Sequence, residues 1–120
     1  MAVLKEKDLE ALADNAERAA DFLKALANRN RLTILCLLSR GERSVSDLEA
    51  SLGIRQPTLS QQLAVLREED LVTTRREGKA IYYSLASRDV EEVIGVLYRI
   101  YCAGDRSRSR AKELVPAAAD

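Results

Sequence analysis

The chain has 120 residues, with 19 Lys+Arg against 19 Asp+Glu and a formal net charge of zero. That length suits one domain with one modest core, and the charge balance excludes a polybasic coat for nucleic acid while leaving room for a local basic face. No apolar run approaches the roughly 20 residues of a membrane span, no charged n-region leads into an apolar h-region, and two cysteines are too few for a disulfide scaffold; the expected compartment is cytoplasmic.

From Lys5 to Ala27, Leu9, Leu12, Ala13, Ala16, Ala20, Leu23 and Ala27 recur at spacings of three and four. This predicts one amphipathic helix, uninterrupted by Gly or Pro. Asn28 to Arg40 predicts a second, carrying Leu32, Ile34, Leu35, Leu37 and Leu38, with Gly41 as its stop. Ser44 or Ser46 can cap a short third helix, and Ser46 with Glu49 fits the S-x-x-E capping box. It carries Leu48 and Leu52 and ends at Gly53. Pro57 suits the first turn of a fourth helix, which runs to about Glu69 with Leu59, Leu63 and Leu66 toward the core. Two helices around a tight turn at Gly53 make a helix-turn-helix.

After Asp70 the period drops to two. Leu71 to Arg76 and Ala80 to Leu85 predict short strands, joined at Glu77-Gly78-Lys79, where Gly78 can take a positive φ. Ser87 can cap the last helix, Asp89, Glu91 and Glu92 favour its positive end, and Val90, Val93, Ile94, Leu97 and Tyr101 form its apolar stripe. The expected fold class is mainly α with a small β-hairpin wing (α+β), a winged helix-turn-helix. Residues 1–105 form the DNA-binding and dimerisation domain, and the basic, then Ala-rich, residues 106–120 predict a disordered tail. The outward apolar faces of the first and last helices exceed what one short chain covers. They predict a homodimer through those helices, which suits a palindromic operator with half-sites roughly 34 Å apart or a multiple of it.

The second helix of the motif is expected in the major groove, with Gln56, Thr58, Ser60, Gln61 and Gln62 exposed early along it. Gln can pair with the adenine edge through two hydrogen bonds, and Ser or Thr can bond bases or phosphates. Taken alone, the stretch is equally an ordinary solvated helix face. Arg75, Arg76 and Lys79 on the hairpin tip the balance toward DNA, because wing cations meet phosphate or the minor groove. Arg29, Arg31, Arg55 and Arg67 are further phosphate candidates, each also explained by solubility. Of Tyr82 and Tyr83, one is expected in the core and the other free to touch the DNA backbone.

Four runs carry a family resemblance: Phe22-Leu23-Lys24-Ala25-Leu26-Ala27-Asn28-Arg29-Asn30-Arg31-Leu32, Ser46-Asp47-Leu48, Gln56-Pro57-Thr58-Leu59-Ser60-Gln61-Gln62-Leu63, and Arg76-Glu77-Gly78-Lys79-Ala80-Ile81-Tyr82-Tyr83. Together they resemble the ArsR/SmtB repressors over about residues 15–103. The resemblance implies a winged-helix homodimer joined by its first and last helices, acting as a repressor that an inducer releases from DNA. One departure is Gln62, where many relatives carry His. One metal site of that family uses a Cys-Val-Cys-Asp-Leu run, and here the matching run is Ser44-Val45-Ser46-Asp47-Leu48. A second uses His and carboxylate on the last helix, and the chain has no His. Hydroxyls are poor ligands for cations that favour S and N donors, so no metal or other cofactor is expected. A new site of two thiolates with carboxylates is the remaining metal alternative.

That leaves Cys36 and Cys102 as candidate sensors, although each can equally be a small buried hydrophobe. Arg40 lies one turn beyond Cys36, and Arg99 and Arg106 flank Cys102. Cations favour thiolate, whereas an apolar setting or a helix C-terminus opposes it. Leu35-Cys36-Leu37-Leu38 and Tyr98-Arg99-Ile100-Tyr101-Cys102 resemble the dithiol repressors of sulfide-oxidation genes, the SqrR/BigR type. That resemblance implies a persulfide or polysulfide inducer that oxidises the pair to an intrasubunit bridge of several sulfurs. The alternatives are a repressor that forms a plain disulfide and a metal-responsive repressor. A thiol oxidoreductase is disfavoured by the lack of Cys-x-x-Cys and of a His base. An adaptor whose winged helix no longer meets DNA is disfavoured by the polar helix face and basic wing.

Overall fold

Residues 4–103, described by a computed structural model, form six helices and a three-stranded antiparallel sheet. The tail expected over residues 106–120 lies outside the described residues. The single helix expected over Lys5 to Ala27 is two, α1 (Glu6–Asp14) and α2 (Ala16–Leu26). Asn15 separates them at φ −110° and ψ 10°, and its Nδ2 donates to the Ala11 carbonyl at 2.8 Å. A short amide side chain that bonds nearby backbone competes with the helix ladder. Neither Gly nor Pro marks the break, so periodicity alone ran through it.

Helix α3 (Arg29–Leu38) is capped by Asn28, whose Oδ1 accepts the Arg31 backbone N–H at 3.0 Å. It buries Ile34, Leu35 and Leu38 and packs against α2, the motif helices and the sheet. Strand β1 (Arg43–Ser44) follows, too short for any alternation to announce it. Helix α4 (Val45–Leu52) is capped by Ser44, not Ser46. Ser44 Oγ accepts the Asp47 N–H at 3.1 Å, and Asp47 Oδ2 accepts the Ser44 N–H at 3.3 Å. The capping box is therefore Ser44 with Asp47, and Ser46 already lies inside the helix. Gly53 ends α4 at φ +67°, where a Cβ would be strained.

Helix α5 (Thr58–Glu68) begins one residue later than its proline suggested, with Pro57 at the N-cap position. It buries Leu59, Leu63 and Leu66. Strands β2 (Val72–Glu77) and β3 (Ala80–Leu85) pair from Val72↔Leu85 to Glu77↔Ala80, turning at Gly78 with φ +61°. Strand β1 adds to the other edge of β3, placing Arg43 opposite Tyr83 and Ser44 opposite Tyr82. Helix α6 (Arg88–Tyr101) is capped by Ser87 Oγ, which accepts the Val90 N–H at 3.4 Å.

One core joins these parts. Leu26, Ile34, Leu35, Leu48, Leu59, Leu63, Leu66, Leu71, Tyr83, Val90 and Ile94 are buried together, each such aliphatic side chain contributing about 1.5–3 kcal/mol. The core clamps α4 and α5 across their turn and seats the wing beside α5. The regular Ala/Leu stripe of the first two helices stays outside it. Leu9, Leu12 and Leu23 are exposed, as are Val96, Tyr98 and Tyr101 on α6; of the apolar stripe expected on that helix, Val90 and Ile94 are buried and Tyr101 is exposed.

Candidate nucleic-acid interface and the cysteine pair

Helix α5 presents a polar side away from its leucines. Gln56, Thr58, Ser60 and Gln61 are exposed, and Gln62 is half-buried. Gln56 Oε1 accepts the Ser60 backbone N–H at 3.2 Å and also the Ser60 hydroxyl, so it serves as a side-chain cap for the first turn. Gln62 Oε1 accepts from Arg31 Nη1 at 2.8 Å. Four of the five expected groove residues thus share the first turns of α5 and Gln56 sits just before its N-cap, but the five differ in what they have left to offer.

The wing is divided in the same way. Arg75 donates to both carboxylate oxygens of Glu42, at 3.1 and 2.7 Å, and to Glu77 at 2.6 Å. Its guanidinium also lies 4.6 Å from the centre of the Tyr82 ring. Hydrogen bonds from Arg75 hold the Glu42 carboxyl below the usual carboxylate range, and Glu42 and Glu77 push the Arg75 guanidinium still higher. Arg76 and Lys79 are exposed and have no ion-pair partner among the described residues. Tyr83 is the core tyrosine and Tyr82 the half-buried outer one.

Both cysteines are free, Cys36 exposed on α3 and Cys102 half-buried at the end of α6. Although Cys36 reaches solvent as a residue, loss of water around its thiol raises its pKa above the ordinary value, and the neighbouring Cys102 pushes it the same way. The cations on the flanking turns do not outweigh these effects. Cys102, far along the sequence, is thus near enough to act electrostatically on the Cys36 thiol. Among the described residues no three of His, Cys, Asp and Glu gather to hold a metal ion, and no helix is long and apolar enough to cross a membrane.

Residues 28–74 match the family described as "Bacterial regulatory protein, arsR family". The chain is 50% identical over 102 residues to the biofilm growth-associated repressor of Agrobacterium fabrum, covering 85% of this chain and 87% of that one. The chain belongs to the arsR family. This arsR-family chain is also 41% identical over 99 residues to the transcriptional activator HlyU of Vibrio cholerae, covering 82% and 92% of the two. The crystal structure of the transcriptional repressor BigR from Xylella fastidiosa superposes with a TM-score of 0.75 at 44% identity, covering 84% of this chain and all of that one. The arsR-family chain is accordingly a winged helix-turn-helix transcriptional regulator and not an enzyme.

Two residues of this arsR-family regulator matter more than their sequence positions announced. Arg31, expected as a phosphate contact, is half-buried and holds the Ala25 carbonyl at 2.6 Å, the Lys24 carbonyl at 3.3 Å and Gln62. It ties the C-terminal end of α2 to α5. Glu42, not singled out from sequence, braces the wing through Arg75. Only sequence-distant pairing reveals either role.

Proposed function

We propose that the chain is a homodimeric repressor of a twofold-symmetric operator, released when persulfides or polysulfides bridge Cys36 and Cys102 within a subunit. The observation that carries this reading is that Cys102, at the end of α6, is near enough to act on the Cys36 thiol of α3. Helix α5 enters the major groove with Gln56, Thr58, Ser60, Gln61 and Gln62. Arg76 and Lys79 meet backbone phosphate, and Arg75 stiffens the wing that carries them. The exposed apolar residues of α1, α2 and α6 cover one another across the twofold axis. The resemblance to dithiol repressors makes sulfide-detoxification genes the expected targets.

The chemistry balances with a persulfide RSSH as oxidant. The Cys102 thiolate attacks the terminal sulfur, gaining SH and expelling RS⁻. The new persulfide anion attacks the inner sulfur of a second RSSH, giving Cys102–S–S–S–R and expelling HS⁻. Cys36, kept protonated by its setting, reacts last as thiolate at the sulfur next to Cys102 Sγ. It expels RS⁻ and closes a trisulfide. Two thiols and two RSSH thus become one trisulfide, two RSH and one H₂S. A plain disulfide needs Cα atoms within roughly 7 Å, whereas an inserted sulfur lengthens the link and relieves strain between rigid helices. The bridge ties α3 to α6 and disfavours the dimer geometry that fits the operator, a coupling of about 1–3 kcal/mol.

Intact mass after a persulfide donor or peroxide, with free thiols alkylated first, tests this reading. An extra-sulfur product without free thiols, formed only by the persulfide donor and with lowered operator affinity, is the expected result. A plain disulfide from either oxidant favours a general redox repressor. Unreacted thiols, or equal affinity before and after bridging, overturn the sensor.

A further inference from the structure

Three glutamines stand at or just before the head of α5, and only one of them has an amide that the fold does not already engage in a hydrogen bond. Arg31 Nη1 donates to Gln62 at 2.8 Å. A guanidinium has only donors, so the atom it faces is the amide oxygen, whichever way the side chain is drawn. Arg31 is itself anchored by the carbonyls of Ala25 and Lys24, which fixes the direction from which it donates. Gln56 is settled by the same logic. It meets the backbone N–H of Ser60, a group that only donates, so its oxygen faces the helix. Both residues therefore have their oxygens engaged within the fold, which leaves the NH₂ as the group each has free to donate.

Adenine shows the major groove one acceptor, N7, beside one donor, N6–H₂, and a glutamine reads both only with its oxygen and nitrogen aimed at the same base. Gln56 and Gln62 are set instead for acceptors: phosphate oxygens, guanine O6 and N7, or thymine O4. Gln61 is exposed, and its side chain makes no hydrogen bond among the described residues. At about 100° per residue it stands roughly 180° from the centre of the Leu59–Leu63–Leu66 stripe, on the outermost line of the helix.

We propose that Gln61 is the adenine reader of this protein. Gln56 and Gln62 are preset hydrogen-bond donors, and Arg31 is the positioning residue that sets the polarity of Gln62. This rests on α5 being the helix that enters the groove. Sites are selected from a randomised duplex library by the reduced full-length protein and by Gln61→Ala, Gln62→Ala, Gln56→Ala and Arg31→Lys. The wild type is expected to enrich sites with a fixed A·T pair in each half. Gln61→Ala loses that preference alone, whereas Gln62→Ala and Gln56→Ala keep it. Placing 7-deazaadenine at that position removes the N7 acceptor. It weakens wild-type binding about tenfold and leaves Gln61→Ala unchanged. Arg31→Lys shifts the preference at a second position, which a merely structural loss, lowering affinity for all sites alike, would not do. An adenine preference intact in Gln61→Ala, or erased by Gln62→Ala, overturns the assignment while α5 remains the reading helix. Failure of the wild type to enrich any site would overturn the groove reading itself.

Discussion

At the Cys36 thiol opposing local effects meet. Arg40 one turn on would favour thiolate, but loss of water around the thiol comes first among the effects acting on it, and Cys102 comes second. Both raise the pKa, so Cys36 is a thiol at neutral pH and reacts faster as pH climbs. The linkage has the same sign. The folded pKa lies above the unfolded one, so the contribution to stability is complete below the unfolded value and is lost as pH rises through the folded value. The alkylation rate of Cys36 in the native protein, followed against pH, is expected to reach half its maximum above the midpoint of the urea-unfolded chain. Cys102→Ser should bring that midpoint only part of the way back, because the larger cause remains. A native midpoint below the unfolded one would mean that the flanking cations prevail. It would also remove the reason for Cys36 to act second in the bridging sequence.

Among the elements, the wing shows how pairing decides which cations are available to a nucleic acid. Arg75 is met by two carboxylates and a ring, whereas Arg76 and Lys79 extend into solvent. Each phosphate neutralised by a cation contributes about 0.9 to the slope of log affinity against log salt. Arg76→Ala and Lys79→Ala should each flatten that slope by about 0.9 if each cation meets one phosphate. Arg75→Ala should flatten it less, since its charge is already balanced by Glu42 and Glu77. Equal slopes for all three variants would show that Arg75 leaves its carboxylates on DNA. The helix-turn-helix and hairpin were legible in the sequence because their signals are local: leucine spacing, Gly53, Gly78, and a change of period after Asp70. Strand β1 was not, because two residues become a strand only by pairing with Tyr82 and Tyr83. The roles of Arg31 and Glu42 were hidden for the same reason. Arg31 reads like Arg29 until Gln62, separated from it by 31 positions, is brought alongside. Asn15 breaks the first helix through a side-chain bond that apolar spacing does not encode.

At the scale of the whole molecule, what the core leaves out is as informative as what it takes in. Leu9, Leu12 and Leu23 are 53%, 51% and 60% exposed, and Tyr98 at the other end of the chain is 60% exposed. Exposure of single apolar residues is ordinary, but these lie on the helices that neither build the reading motif nor carry the wing. A second copy covering them gives the reading helices a fixed separation, so binding of one half-site makes the second an intramolecular event. Leu23→Glu tests this without touching the core, because Leu23 faces solvent in the single chain. Its far-ultraviolet circular dichroism should be unchanged, while sedimentation equilibrium shows monomer where the wild type is dimer, and affinity for a two-half-site duplex falls at least tenfold. A dimeric Leu23→Glu protein with full affinity would place the interface elsewhere. The trisulfide-bridged wild type offers the complementary comparison. If the bridge acts from inside one subunit on the angle between the halves, the bridged protein should remain dimeric yet lose affinity by about 5–150-fold. Dissociation on bridging would instead make loss of the dimer itself the switch, and then the bridged wild type and Leu23→Glu should bind a single half-site equally well.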